Sequence, residues 1–148
     1  MDLQRISDEL EIAGVLTRYA RAVDGKDWEL WRSLFTDDAQ IDYRSAGGPV
    51  GGRDEVSAWL ERCLALMPMT QHYITNVDVD IDGDTATVTA MFYNPMLLPG
   101  ANETSACGGY YHHVMVRTAS GWRSSRLREE NLWFDNPPSA ELRASGKE

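Results

Sequence analysis

Apolar residues recur at steps of three and four from Ile6 through Leu10, Ala13, Thr17 and Ala20, the spacing that holds one helix face against a core. The next position on that face is Asp24. A carboxylate placed there must be paired, hydrogen-bonded, protonated or facing an internal cavity, and each case puts a polar site inside the fold. The alternative is a fraying last turn that points Asp24 to solvent. Ser7 is the expected cap of this helix, with Asp8, Glu9 and Glu11 favourably placed near its N-terminal end, and Gly25 marks its stop. Asp27 predicts a cap for a short second helix burying Trp28, Trp31, Leu34 and Phe35. Ala39 to Tyr43 then reads as a short strand. Gly47-Gly48-Pro49 and Gly51-Gly52 mark a loop, and a third helix carries Val56, Trp59, Leu60, Cys63 and Leu64 on one face until Pro68 ends it.

Beyond Pro68 the period changes to two. Val77, Val79 and Ile81 alternate with Asp78, Asp80 and Asp82, and Asp82-Gly83-Asp84 predicts a tight turn. Ala86 to Tyr93 reads as a second long strand stopped by Asn94-Pro95, Tyr110 to Thr118 as a third, and Trp122 to about Phe134 as a fourth after Ser120-Gly121. Helices first and an antiparallel meander afterwards predict an α+β fold, a curved sheet wrapped around three N-terminal helices and enclosing a conical cavity. The domain is expected to span 1–136, with 137–148 a loosely ordered tail.

The 148 residues suffice for one domain with a substantial core. No apolar run approaches the ~20 residues needed to span a bilayer. The N-terminus lacks a basic-then-apolar leader, so a cytoplasmic location is expected. A formal charge of −9 disfavours nucleic acid and anionic membranes as partners. Cys63 and Cys107 are too few and too far apart for a disulfide framework or a zinc site. There is no metal-ligand spacing, no phosphate-binding glycine loop and no nucleophile elbow. What remains is cofactor-independent acid–base chemistry on a small, mainly apolar ligand, or plain binding of one.

His72 is the second candidate, since histidine titrates near neutral pH and beside a buried carboxylate can serve as base or acid. Strand parity puts it with Ile74, Asn76 and Asp78, opposite Val77, Val79 and Ile81. It reaches the interior only if a bulge or sheet curvature reverses the facing. Tyr43, at the end of the short strand, offers a hydroxyl to a carbonyl or a water. His112 shares a face with Tyr110, Val114 and Val116, which should look inward, and His113 should point outward with Met115 and Arg117. Tyr19, Val23, Trp59, Tyr73, Met91, Asn94, Tyr110, His112 and Trp133 are the candidate substrate-binding residues. The segment from Asn94 to Gly109 is long, carries Met96, Leu97 and Leu98, and reads either as a lid or as a loop packed on a partner subunit.

Three segments, Val23-Asp24-Gly25-Lys26-Asp27-Trp28, Leu34-Phe35-Thr36-Asp37-Asp38-Ala39 and Gly51-Gly52-Arg53-Asp54-Glu55-Val56, resemble the SnoaL-like branch of the nuclear transport factor 2-like superfamily. The resemblance covers roughly Leu3 to Phe134. It implies a cone-shaped α+β barrel with a deep ligand pocket, assembled as a homodimer or homotrimer. Asp24-Gly25-Lys26-Asp27-Trp28, Ile41-Asp42-Tyr43-Arg44-Ser45 and Thr70-Gln71-His72 look most like the scytalone dehydratase group. By that similarity Asp24 orients His72, His72 removes a proton next to a carbonyl and returns one to the departing hydroxyl, and Tyr43 holds the carbonyl oxygen through a water. Two positions depart from the group: Val23 stands where a tyrosine precedes the aspartate, and Tyr93-Asn94-Pro95-Met96 lacks the second histidine, which His112 or Asn94 would have to replace. The resemblance therefore implies a dehydratase or isomerase acting on a hydrophobic cyclic ketone or polyketide-like molecule. A polyketide cyclase and a non-catalytic binder of small molecules are the alternatives.

Overall fold

The computed structural model describes residues 2–139; the expected tail lies outside them from residue 140 onward. Helix α1 (Leu3–Asp24) starts a turn earlier than a Ser7 cap implies, because the Asp2 carboxylate accepts the backbone N–H groups of Gln4 and Arg5. Its buried face is also rotated from the expected one. Ile12, Val15, Leu16, Tyr19, Ala22 and Val23 face the core, whereas Ile6 and Leu10 are exposed. The true stripe was masked because it begins with a charge, Asp8. That carboxylate enters the interior because Arg117 grips both its oxygens, at 2.6 and 2.9 Å, and the Trp122 indole N–H donates at 3.0 Å. The Arg117 guanidinium holds Asp8 well below the usual carboxylate range.

Helix α2 (Trp28–Ser33) is capped as expected by Asp27, which accepts the Leu30 N–H. Strand β1 (Phe35–Asp42), the short β2 (Val50–Gly52) and helix α3 (Arg53–Ala65) follow. The remainder is sheet: β3 (Met69–Thr70), β4 (Tyr73–Asp82), β5 (Thr85–Leu97), β6 (Ser105–Thr118) and β7 (Gly121–Asp135). The order is β2-β1-β7-β6-β5-β3, with β4 also paired to β5. The sheet curls into a half-barrel around the helices, and α1 packs against both β4 and β7. Strands β4 to β7 form the antiparallel meander that the alternation predicts, but β1 joins β7 in parallel. Nothing local announces that pairing, since no turn connects two strands so distant in the chain.

Two expectations about strand ends give way. Asn94-Pro95 does not stop β5, which runs on to Leu97. Pro95 lacks a donor, but it sits where β4 leaves the edge of β5 and β3 takes over, so no ladder bond is lost there. Residues 105–109 likewise belong to β6, which shrinks the proposed lid to the short connection 98–104.

The parity problem at His72 is resolved by a β-bulge. Thr75 pairs with Met91 and Asp78 with Thr89, so three steps on β4 oppose two on β5. Asn76 absorbs the extra residue in the left-handed region, at φ 51°, a conformation asparagine tolerates better than most residues. Ile74, opposite Phe92, therefore shares the concave face with Val79, opposite Val88, and His72 keeps the parity of Ile74.

The parity reading of β6 was inverted. Tyr111, His113 and Met115 point into the core, and Tyr110, His112 and Val114 lie on the outer face. Both alternating series contain apolar residues, so alternation alone could not choose between them. His113 is accommodated as a neutral ring: burial, aided by neighbouring His112, pushes it down to about 3. Its Nδ1 lies 2.8 Å from Ser124 Oγ, whose own proton goes to the Arg126 carbonyl, so Nδ1 is the donor.

Candidate active site

The last turn of α1 and the approach to β4 bring Asp24 and His72 together. Three donors converge on the Asp24 carboxylate: His72 Nδ1 at 2.6 Å, the His72 backbone N–H at 2.8 Å and Thr70 Oγ1 at 2.9 Å. The His72 side chain is only 8% exposed and that of Asp24 23%, so the pair sits at the edge of the interior. Burial works to raise Asp24, but the hydrogen bonds and charge of His72 outweigh it and the carboxyl stays below its ordinary value. An ionised Asp24 can only accept, so Nδ1 carries a proton, and in the neutral form of the ring the lone pair then lies at Nε2. Nε2 makes no hydrogen bond among the described residues. Beside the pair runs a groove of about 630 Å³, walled by Thr17, Ala20, Arg21, Gly25 and Ile74.

Tyr43, the third residue expected here, is buried at 3% exposure and packs on Trp59 with ring centroids 5.7 Å apart. Its hydroxyl is sealed from solvent and has no partner among the described residues; no hydrogen bond joins it to the Asp24–His72 pair. Val23 and Tyr19 are fully core, Tyr19 meeting Tyr111 edge-on at 5.2 Å. Asn94 is buried on the concave face beside Cys107, and its Oδ1 lacks a partner among the described residues. The remaining candidates leave the interior. Met91, Tyr110, His112 and Trp133 lie on the outer face of the sheet, where His112 Nε2 contacts Glu130 at 2.6 Å. Tyr73 is outside as well, its ring tilted against Tyr93 with centroids 5.9 Å apart, although it borders the groove next to His72.

One interior group escaped the sequence reading. Glu129 on β7 is 7% exposed, pairs in register with Tyr111, and points inward like Leu127. Its Oε1 accepts from Asn131 Nδ2 at 2.6 Å and, more distantly, from Ser45 Oγ at 3.4 Å. Burial pushes the carboxyl up to about 7, against the pull of those two hydrogen bonds. The signal was available, since Leu127, Glu129 and Asn131 form one alternating series. Arg126, Arg128 and Glu130 on the other parity made the stretch read as a charged outer face. The Tyr19 phenol is driven well above its ordinary value by burial, then by the negative charge of Glu129 and lastly by that of Asp24. Both acids thus act on one side chain of α1 from different walls. No three His, Cys, Asp or Glu residues gather closely enough to hold a metal ion among those described.

A half-barrel closed over α1, with a carboxylate–imidazole pair at its edge, defines the class, and residues 4–128 match the SnoaL-like domain: the chain belongs to that family. Among its relatives is the uncharacterized protein Rv2910c of Mycobacterium tuberculosis, 37% identical over 130 residues, covering 87% of this chain and 88% of the relative. The solved structure of Kfla4162 from Kribbella flavida is 30% identical, covers 95% of this chain and 99% of its own, and superposes with a TM-score of 0.83. A candidate scytalone dehydratase from Novosphingobium aromaticivorans reaches a TM-score of 0.83 at 18% identity, covering 91% of each chain. A hexachlorocyclohexane dehydrochlorinase, LinA type 2, reaches 0.81 at 20% identity over 95% of each chain. At these last two identities the likeness is one of fold.

Proposed function

We propose that this chain is a cofactor-independent acid–base enzyme, a dehydratase or isomerase, acting on a small hydrophobic cyclic ketone or polyketide-like molecule. The observation that carries the reading is the Asp24–His72 pair, with Nδ1 anchored at 2.6 Å and Nε2 unbonded. In that arrangement His72 Nε2 is the base that removes a proton next to a carbonyl. Asp24 fixes the tautomer and stabilises the imidazolium that forms. Two structural neighbours bear names that denote elimination, a dehydratase and a dehydrochlorinase, which is the class of reaction such a base serves. Tyr43 completes the set by resemblance: its hydroxyl has no partner among the described residues but is sealed from solvent, so it holds a substrate oxygen only once the interior opens beside it.

The experiment is turnover of a panel of β-hydroxy cyclic ketones by wild type, Asp24→Asn and His72→Gln. Each variant is expected to lose roughly 100- to 10,000-fold in rate, the usual worth of a positioned acid–base group. Full activity in His72→Gln with loss in Asp24→Asn would instead identify a cyclase-type reaction in which the aspartate is the base. Recovery of every ligand unaltered would leave a binding protein.

A further inference from the structure

Glu129 Oε1 is committed to Asn131 and Ser45, but Oε2 makes no hydrogen bond among the described residues. Nor is Oε2 one of the sealed, partnerless polar atoms of the interior, which include Tyr43 Oη, Asn94 Oδ1 and Asn131 Oδ1; it therefore borders open space. A carboxyl clamped through one oxygen leaves the other free to take a partner. Its place in the sheet is opposite the base. Glu129 lies on β7, whereas His72 leads into β4, and β6 and β5 separate the two strands. Three inter-strand steps amount to about 14 Å, and the register adds about 10 Å along the strands, since Glu129 is level with Ala90 through Tyr111 whereas Tyr73, next to His72, is level with Tyr93; the line across the concave side is shorter than this path over the sheet. Helix α1 touches both strands, and its Tyr19 lies within the influence of both acids.

We propose that Glu129 is a second catalytic residue, the general acid that delivers its proton to the leaving hydroxyl of the substrate from the wall facing His72. The inference rests on the acid–base reading above and replaces return of the same proton by His72. In the step, the α C–H bond breaks and its proton forms a bond to His72 Nε2. The C–H electron pair passes into an enolate, the carbonyl π pair moving onto its oxygen; when the enolate collapses, the carbonyl re-forms, the pair becomes the new C=C bond, and the C–O bond breaks with its pair going to oxygen. The Glu129 O–H proton joins that oxygen, and water departs. Imidazolium and carboxylate are left, and proton exchange with water resets both. With acid and base on opposite walls, hydrogen and hydroxyl leave from opposite faces of the ring.

The surroundings keep such a proton available. Glu129 is met by Ser45 from the turn after β1, by Asn131 on its own strand, by Tyr111 and Cys107 from β6 and by Tyr19 from α1, with the Asp24 carboxylate beyond. None of these is a cation, and burial holds the group at about 7, so a large fraction is protonated at neutral pH.

The test separates the two half-reactions on a β-hydroxytetralone. Glu129→Gln should retain α-proton exchange with D2O within about 3-fold of wild type, yet lose water elimination roughly 100-fold. Elimination by wild type should fall as pH rises through about 7, and that alkaline fall should be missing from the residual rate of the variant. A readout on wild type alone uses substrate deuterated at the α-carbon either cis or trans to the hydroxyl. Deuterium should be lost from the trans isomer and kept in the product of the cis isomer. Equal loss of exchange and elimination in Glu129→Gln, undiminished elimination, or removal of the cis label would overturn the assignment while leaving the His72 base intact. Absence of both exchange and elimination in wild type would overturn the acid–base reading and this assignment together.

Discussion

Glu129→Gln should make the protein more stable at neutral pH, by an amount bounded by how far burial raises the carboxyl. Glutamine is isosteric and keeps an oxygen to accept from Asn131 Nδ2, so packing and the 2.6 Å contact persist while the ionisation disappears. In the wild type the folded protein holds the Glu129 proton up to about 7, whereas an ordinary glutamate releases it near 4.5. Between those values the native state binds more proton than the unfolded chain, so wild-type stability declines as pH rises and levels off beyond about 7. At about 1.4 kcal/mol for each pH unit, the interval sets a ceiling of about 3 kcal/mol. At 7% exposure, solvent screens little of it. Urea unfolding of both proteins in steps from pH 4 to pH 8.5 gives the comparison. The curves should lie close together near the acid end and diverge steadily, Glu129→Gln becoming the more stable. Parallel curves, or a variant that is less stable at alkaline pH, would refute a buried carboxyl with a raised value and with it the electrostatic picture of the interior.

Asp24 carries the opposite sign. Its folded value lies below the ordinary 3.8, so its contribution holds at neutral pH and is lost as pH falls through that folded value; Asp24→Asn should flatten this acid limb in the same urea series. Lys26 follows α1 in the left-handed region at φ 55°, so Lys26→Gly should raise the unfolding free energy by about 0.5–1 kcal/mol, offset in part by loss of the Nζ bond to the Met67 carbonyl. At the β4 bulge, Asn76→Gly should be nearly neutral in thermal unfolding, while Asn76→Val should cost about 1–2 kcal/mol because a β-branched residue resists φ 51°. Gly109→Ala should abolish accumulation of folded protein, judged by circular dichroism, because the added Cβ would fall 1.8 Å from the Glu130 carbonyl oxygen.

Much of the architecture was legible because it follows from local chemistry. Asp27 as a cap, the period change after Pro68 and the Asp82-Gly83-Asp84 turn each mark an element by themselves. The parallel β1–β7 pairing was not, because it depends on residues some 90 positions apart with no connecting turn. Burial of Asp8 was hidden for a related reason: the sequence offers a charge at a core position, and only the distant Arg117 and Trp122 explain it. At the site, the stripe that singles out Asp24 is not the buried face of α1, since Ile6 and Leu10 are exposed, and His72 is singled out by its chemistry alone; the bulge that turns His72 inward is the condition its parity demands. Tyr110 and His112 were misplaced because β6 carries two apolar series of opposite parity. Glu129 was passed over although its parity with Leu127 pointed inward.

Exchange of an α-proton tests the central claim most directly, because it needs a base and a carbonyl but no particular leaving group. Wild type, His72→Gln and Asp24→Asn would be incubated with a set of cyclic ketones in D2O and followed by proton NMR. The account predicts deuterium entering the α-position of at least one ketone well above the buffer rate, with roughly 100-fold slower uptake in His72→Gln and a marked slowing in Asp24→Asn. Uptake at the same rate in His72→Gln as in wild type would contradict it.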